Sequence, residues 1–186
     1  MKNLARALSE LTKVFEGLKV PYAVMGGIAV RVYGIPRPTY DVDFTLALDR
    51  ARLPELYRSV RELGYTVPEQ YDTGWVDCVA GMPVVKVRAY LAEGRGIDID
   101  IFLAESAFQE QLLARRRRDQ VDDLSVWFVT AEDLILLKLL AHRPRDIADI
   151  SDIRFTQGQL DEAYLHDWAR RLGVVTELER IRTEQP

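Results

Sequence analysis

Cysteine is nearly absent from this chain, since Cys78 is the only one among 186 residues. A single thiol excludes an intrachain disulfide and a zinc site built from several cysteines, and a reducing cytoplasm is the expected location. The most apolar run, residues 134–141, is interrupted by Lys138 and is far shorter than the roughly 20 residues that cross a bilayer. The chain does not open with a basic segment followed by a long apolar stretch, so neither a signal peptide nor a membrane partner is expected.

An excess of basic residues is missing as well. Lys and Arg number 25 against 29 Asp and Glu, which gives a net charge of −4. This acidic balance argues against a protein that coats nucleic acid in general, although local basic patches remain compatible with it. Hydrophobic residues make up 48% of the chain and charged residues 29%, which is typical of a globular protein and argues against disorder.

The first chemical signal is a pair of aspartates on a predicted strand. Apolar and polar residues alternate over residues 40–46, which predicts a strand with one apolar face and one face that carries both Asp41 and Asp43. Two carboxylates this close repel each other without a cation, and Mg²⁺ usually binds one or two protein carboxylates together with substrate phosphates. The alternative at this point is a solvated strand face with two ordinary aspartates.

A second pair, Asp98 and Asp100, repeats the pattern on a strand predicted for residues 96–103. If the two strands are neighbours with the same face outward, three or four carboxylates converge, which is costly unless metal ions or protons neutralise them. Carboxylates that bridge two metal ions are a known way to stabilise the attacking and leaving oxygens in phosphoryl transfer. The alternative is that one of these aspartates only keeps an edge strand soluble.

The periodicity predicts an α/β (α+β) chain, in which we expect a small mixed β-sheet core flanked by helices. This core is expected in residues 1–104, and a mainly helical C-terminal part, packed on the core, in residues 105–186. One helix is predicted over residues 105–118, which would scatter the four arginines of residues 115–118 around its end. Such arginines are either solvated or contact RNA phosphates.

Gly26 and Gly27 lie between a predicted strand and a short predicted helix. Glycines there let backbone amides approach a phosphate, although most such pairs only mark turns. Followed by Asp-x-Asp, the pair resembles the DNA polymerase beta-type nucleotidyltransferase superfamily, through residues 25–27 (MGG) and 37–44 (RPTYDVDF). The third metal carboxylate of that superfamily lies on a later strand, and Asp100 matches it best, with Asp98 as the alternative.

Lys138 and Asp146 narrow the resemblance to the AbiEii/MenT toxin-like branch, which carries a lysine, seven residues and then an aspartate. The resemblance covers residues 24–153, and the toxins are generally longer than this chain. It implies transfer of an NMP from an NTP to an acceptor hydroxyl, with release of pyrophosphate and dependence on Mg²⁺ or Mn²⁺. The branch implies tRNA as the acceptor and an antitoxin protein as a partner.

The resemblance also implies roles for individual residues. The implied metal ligands are Asp41, Asp43, Asp100 and Asp98. The implied catalytic residues are Asp41, Asp43, Asp100 and Lys138. The implied nucleotide-binding residues are Gly26, Gly27, Arg37, Thr39, Lys138 and Asp146. Two alternatives remain open: a non-catalytic nucleotide-binding subunit that acts through an antitoxin, and a small-molecule enzyme of the aminoglycoside nucleotidyltransferase kind.

Lys138 lies on a mostly apolar stripe of its predicted helix. An ammonium there needs an anion or must extend to solvent. If it meets a triphosphate in an otherwise empty site, its replacement by methionine should leave the stability of the fold unchanged or raise it, because an unpaired amine is removed.

Overall fold

The computed structural model describes residues 2–90 and 96–183. Within these residues helices and strands alternate as far as residue 79, and the last four elements are helices; a 3₁₀ turn lies at Arg50–Arg52. They are α1 (Lys2–Gly17), β1 (Tyr22–Met25), α2 (Gly26–Tyr33), β2 (Asp41–Leu46), α3 (Leu53–Glu62), β3 (Tyr65–Thr66), α4 (Glu69–Asp72), β4 (Asp77–Val79), β5 (Met82–Tyr90), β6 (Gly96–Leu103), α5 (Ala107–Arg115), β7 (Arg117–Val121), β8 (Leu124–Phe128), α6 (Ala131–Ala141), α7 (Pro144–Gln157), α8 (Glu162–Leu172) and α9 (Val175–Thr183).

The strands form one mixed sheet in the order β3-β5-β6-β2-β1-β8-β7, with β4 paired to β5. Strand β2 runs parallel to β6 and antiparallel to β1, while β5 and β6 are antiparallel. The predicted fold class, a mixed sheet flanked by helices with a mainly helical C-terminal part, is therefore confirmed.

The two faces of β2 have opposite characters. Val42 and Phe44 are fully buried, and the ring of Phe15 from α1 meets Phe44 edge to face with centroids 5.0 Å apart. Because successive side chains of a strand alternate between faces, Asp41 and Asp43 project from the other side. Helix α1 thus covers one face of the sheet at this strand and leaves the other face for the carboxylates.

The register between β2 and β6 brings the two aspartate pairs together. Asp41 lies opposite Asp98, and Asp43 lies opposite Asp100, in neighbouring parallel strands. Strand β6 spans the predicted residues 96–103, and β2 begins one residue later than predicted.

The helix predicted over residues 105–118 is wrong at its end. Helix α5 stops at Arg115, and Arg117 and Arg118 begin β7, which forms an antiparallel hairpin with β8. The guanidinium groups of Arg116 and Arg118 lie over the ring of Trp127, 4.7 and 5.8 Å from its centroid. The cross-strand tryptophan supports the extended backbone, so pairing across the hairpin outweighs the local helical preference.

The C-terminal part contributes two strands to the sheet. Strands β7 and β8 lie beyond residue 104 yet join the same sheet, so the division of the chain after residue 104 stays a prediction.

Within residues 2–90 and 96–183, none of the helices combines the length and the apolar character that crossing a membrane requires.

A short connection folds α7 back against α6. The hydroxyl of Thr130 caps α6 by accepting a hydrogen bond from the backbone N–H of Asp133, and α6 ends where His142 takes a left-handed conformation with φ of 48°. Pro144 then begins α7, in the first-turn position where its missing N–H costs least. This turn brings Lys138 of α6 opposite the first two turns of α7.

Candidate active site

A cavity of about 590 Å³ opens on the carboxylate-bearing face of the sheet. The strands β2, β5 and β6 form one wall, and the start of α2, the segment before β2, and helices α6 and α7 supply the rest. All the metal-binding, catalytic and nucleotide-binding residues implied by the resemblance line it: Gly26, Gly27, Arg37, Thr39, Asp41, Asp43, Asp98, Asp100, Lys138 and Asp146. These residues therefore lie around the same cavity, while the role of each stays a prediction.

The two glycines make room for the side chains of Asp43 and Thr39 rather than only marking a turn. A Cβ atom on Gly26 would lie 1.8 Å from Asp43 Oδ2, and Gly26 has a φ of +64°, which disfavours any other residue. A Cβ atom on Gly27 would lie 2.4 Å from the Thr39 hydroxyl. The backbone of the first turn of α2 therefore lies so close to Asp43 and Thr39 that no side chain fits between them.

Asp43 is the most perturbed carboxylate at this end of the sheet. Burial raises the pKa of its carboxyl to about 7, and the negative charges of Asp41 and Asp100 add to the rise. The positive charges of Lys138 and Arg143 oppose it without cancelling it. The carboxylates therefore form an electrostatically unsatisfied cluster around Asp43.

Asp98 and Asp100 are both paired with basic residues of β5, but they differ in exposure. The Asp98 side chain is 59% exposed and accepts a hydrogen bond from Arg88, whereas Asp100 is only 25% exposed and lies 3.4 Å from Lys86 Nζ. Burial raises the pKa of Asp100, and Lys86 opposes that rise. Asp100, not Asp98, is among the groups that raise the pKa of Asp43.

The opposite wall carries a buried network of two cations and two carboxylates. Lys138 Nζ lies 3.0 Å from Asp146 Oδ1 and 2.5 Å from Asp149 Oδ2. Arg37 donates to the same Asp149 through Nε and Nη2, at 2.6 and 2.7 Å. Burial alone would raise the pKa of Asp149, but the hydrogen bonds from Arg37 and Lys138 lower it below its usual value.

These contacts contradict the expectation that Lys138 is an unpaired amine. The Lys138 side chain is only 6% exposed, and two carboxylates accept hydrogen bonds from its ammonium group. The helix pattern could not show this, because Asp146 and Asp149 reach Lys138 only after the chain reverses between α6 and α7. Replacement by methionine would therefore leave buried carboxylates short of a cation, which destabilises.

A match to a protein family extends over nearly the whole chain. Residues 2–180 match the model of a family described as nucleotidyltransferase of unknown function (DUF6036). The chain belongs to this family. A comparison with curated proteins finds no match.

Solved structures share the fold of this nucleotidyltransferase at low sequence identity. An antigenic nucleotidyltransferase-like protein from Paracoccidioides brasiliensis is 19% identical, with a TM-score of 0.57 over 95% of this chain and 90% of that one. The antibiotic-resistance factor ANT(2'')-Ia, in complex with adenylyl-2''-tobramycin, is 14% identical, with a TM-score of 0.56 over 97% and 99%. The lincosamide antibiotic adenylyltransferase LnuA is 17% identical, with a TM-score of 0.50 over 82% and 95%.

The carboxylate cluster of this nucleotidyltransferase fits a divalent cation only in part. Among residues 2–90 and 96–183, no three or more His, Cys, Asp or Glu side chains are placed so that they alone could hold a metal ion. Mg²⁺, however, usually keeps several waters and takes one or two carboxylates plus substrate phosphates. A half-buried Asp43 whose pKa is raised beside Asp41 and Asp100 is suited to that kind of shared site.

Several lining residues of this nucleotidyltransferase are not predicted from its sequence. Arg143 and Arg145 flank Pro144 at the start of α7, and Val79, Ala80 and Met82 come from the hairpin between β4 and β5. The two arginines lie within three residues of Asp146, and this closeness in sequence could have indicated that they belong to the cavity. The hairpin lies in a stretch without clear periodicity, so nothing local indicated its position beside the cavity.

Proposed function

We propose that this nucleotidyltransferase moves an NMP from an NTP to an acceptor hydroxyl and that the reaction depends on Mg²⁺ or Mn²⁺. The observation that carries the proposal is the convergence of Asp41, Asp43 and Asp100 in one cavity beside the glycine start of α2, where burial and the neighbouring charges raise the pKa of Asp43. Carboxylates that converge in a cleft repel one another, which is costly for a fold, so their presence favours a site that a cation completes.

The residues divide into two sets with different tasks. Asp41, Asp43 and Asp100 would hold the divalent cation, which supplies charge stabilisation to a transferring phosphoryl group when bound. Thr39 supports this set, since its hydroxyl donates to Asp41 Oδ1 at 2.6 Å. Asp98 is the weaker candidate for the third carboxylate, because it is exposed and hydrogen-bonded to Arg88.

The second set would bind the triphosphate. Gly26 and Gly27 offer backbone amides at the start of α2, and Arg37 and Lys138 add positive charge across the cavity, with Asp146 holding Lys138. In the proposed step the acceptor oxygen forms a bond to the α-phosphorus, and the bond from that phosphorus to the pyrophosphate oxygen breaks. The proton of the acceptor hydroxyl passes to Asp100, whose raised pKa suits a base.

For the acceptor we propose the 3′ hydroxyl of tRNA, on the strength of the resemblance of Lys138 and Asp146 to the AbiEii/MenT toxin-like branch. An antitoxin partner and a cytoplasmic location belong to the same proposal. A small-molecule hydroxyl is the second candidate, because the fold matches ANT(2'')-Ia, which was solved with adenylyl-2''-tobramycin, over nearly its whole length.

The decisive experiment offers the protein each of the four NTPs, labelled at the α-phosphate, with Mg²⁺ and either total tRNA or a set of aminoglycosides. We expect label on the 3′ end of tRNA, release of pyrophosphate and loss of both signals with a chelator. Label on an aminoglycoside instead would replace tRNA by the second candidate. A protein that neither transfers label nor binds any NTP in the presence of Mg²⁺ would disprove the proposed function.

Binding of Mg²⁺ is expected to depend steeply on pH below neutrality. Burial raises the pKa of Asp43 to about 7, and a carboxylic acid must lose its proton to bind a cation. The affinity should therefore rise by up to about tenfold per pH unit from pH 5.5 to 7 and level off above that. Calorimetric titration of Mg²⁺ and a non-hydrolysable NTP at several pH values measures this, and a flat profile would show that Asp43 is not a ligand.

A further inference from the structure

Asp149 does not line the cavity, yet it contacts two residues that do. Its side chain is only 2% exposed, and its two oxygens accept hydrogen bonds from Arg37 and Lys138. The two partners reach it from distant parts of the chain, since Arg37 precedes β2 and Lys138 lies in α6. One buried carboxylate therefore holds two of the cations that line the cavity.

We propose that Asp149 is a positioning residue, which fixes Arg37 and Lys138 in the orientation that binds the triphosphate of the nucleotide. The proposal rests on the proposed function, because it concerns how the same site takes its substrate. Asp149 acts through its partners and does not itself touch the ligand.

An inventory of hydrogen-bond donors shows what this arrangement leaves for a ligand. Arg37 has five N–H groups. Two of them, on Nε and Nη2, donate to Asp149, and a third, on Nη1, donates to the carbonyl oxygen of Pro38 at 3.3 Å. Lys138 has three N–H groups, of which Asp146 and Asp149 take two. Two donors on Arg37 and one on Lys138 remain, and both side chains line the cavity.

Fixing these donors in advance favours binding of a polyanion. Long Arg and Lys side chains lose rotamer freedom when they bind a ligand, and this loss weakens binding. With Asp149 in place, this loss occurs when the protein folds rather than when the ligand binds. Without Asp149, the Arg37 side chain, which is 22% exposed, is free to turn towards solvent.

A double-mutant cycle separates positioning from simple charge. Removing Asp149 also deletes a negative charge near the ligand, which by itself strengthens anion binding, so the single variant is ambiguous. We therefore compare the effect of Arg37→Met on the affinity for inorganic tripolyphosphate, with Mg²⁺, in the wild-type and Asp149→Asn backgrounds. Calorimetry should show at least about a tenfold loss in the wild type, typical of a charged hydrogen bond, and less than about threefold without Asp149.

Asp133→Asn supplies the matched background, because Asp133 is also fully buried on a helix of this region but does not line the cavity and is hydrogen-bonded to Thr130 and Tyr164 instead. In the Asp133→Asn background, Arg37→Met should weaken the binding of tripolyphosphate by the same factor as in the wild type. If Asp149→Asn does not fold, Asp149→Glu keeps the charge, displaces the carboxylate and serves in the same cycle.

Equal losses in all backgrounds would overturn the role of Asp149, and so would a wild-type protein that does not bind tripolyphosphate. These outcomes are distinct from failure of the proposed function. If the wild type binds tripolyphosphate and the cycle is coupled, but no NMP is transferred to any acceptor, the positioning role stands and the proposed reaction is wrong.

Discussion

Asp43→Asn is expected to lower the rate of nucleotide transfer at least about 100-fold at saturating NTP. The carboxylate is the centre of the cluster that Asp41 and Asp100 complete, and an amide is a much weaker ligand for a hard cation. Charge stabilisation by a metal ion in phosphoryl transfer is worth several kcal/mol, and each 1.36 kcal/mol corresponds to tenfold in rate. Steady-state transfer from a labelled NTP measures the loss.

The same substitution is expected to stabilise the metal-free fold above neutral pH. The pKa of Asp43 is about 7 in the folded chain against an ordinary value of 3.8, so the folded state holds its proton more tightly than the unfolded state. Stability is therefore lost as pH rises from about 4 to about 7. Such a shift corresponds to at most about 4 kcal/mol, and solvent around a half-buried side chain reduces it.

Asp98→Asn is the matched control for this prediction. Asp98 sits opposite Asp41 in the register of the sheet but is largely exposed and paired with Arg88. We expect it to retain transfer within about tenfold and to keep the wild-type pH dependence of unfolding. If Asp98→Asn loses as much activity as Asp43→Asn and Asp100→Asn does not, the third carboxylate is Asp98.

Lys138→Met is expected to lower the free energy of unfolding by about 3–5 kcal/mol at neutral pH. The variant keeps the aliphatic length of the side chain but removes the cation that Asp146 and Asp149 share. Breaking a buried ion pair from one side leaves a desolvated charge behind, which is the costly case. For a chain of this size the melting temperature should fall by roughly 6–20 °C, measured by circular dichroism.

The cost should shrink in acid. The pKa of Asp149 lies below its usual value because Arg37 and Lys138 outweigh the effect of burial. A lowered carboxyl pKa stabilises the fold above the unfolded pKa of about 3.9, and this stabilisation disappears as pH falls through the folded value. The difference between wild type and Lys138→Met is therefore expected to be full at pH 7 and smaller below pH 4.

Lys86→Met provides the control on the opposite wall. Lys86 also lines the cavity, but it faces only Asp100, at 3.4 Å, and its side chain is 44% exposed. Ion pairs of that kind contribute less than about 1 kcal/mol, so the melting temperature should barely move. Equal melting temperatures for Lys138→Met and the wild type would mean that the network with Asp146 and Asp149 contributes nothing to stability.

Local periodicity was enough to predict much of the carboxylate wall. The alternation over residues 40–46 and 96–103 placed each aspartate pair on one face of a strand, because side-chain direction in a strand depends only on parity. The same patterns indicated an α/β chain, but they do not specify whether neighbouring strands run parallel or antiparallel. The end of α5 did not follow from them either, because Arg117 and Arg118 become strand through pairing with β8, and a cross-strand contact cannot be seen in a helix-like run of arginines.

By itself, the sequence determined that two pairs of carboxylates, a glycine pair and a lysine would occur in a mixed α/β chain of the nucleotidyltransferase kind. Only the tertiary structure decided which of them act on one another. The register of β2 against β6 placed Asp100 rather than Asp98 beside Asp43. The reversal between α6 and α7 joined Lys138 to Asp149, and Asp149 in turn binds Arg37, 112 residues away in the chain. Such pairings depend on how distant segments pack, and the strength of a charge depends on the burial that packing creates.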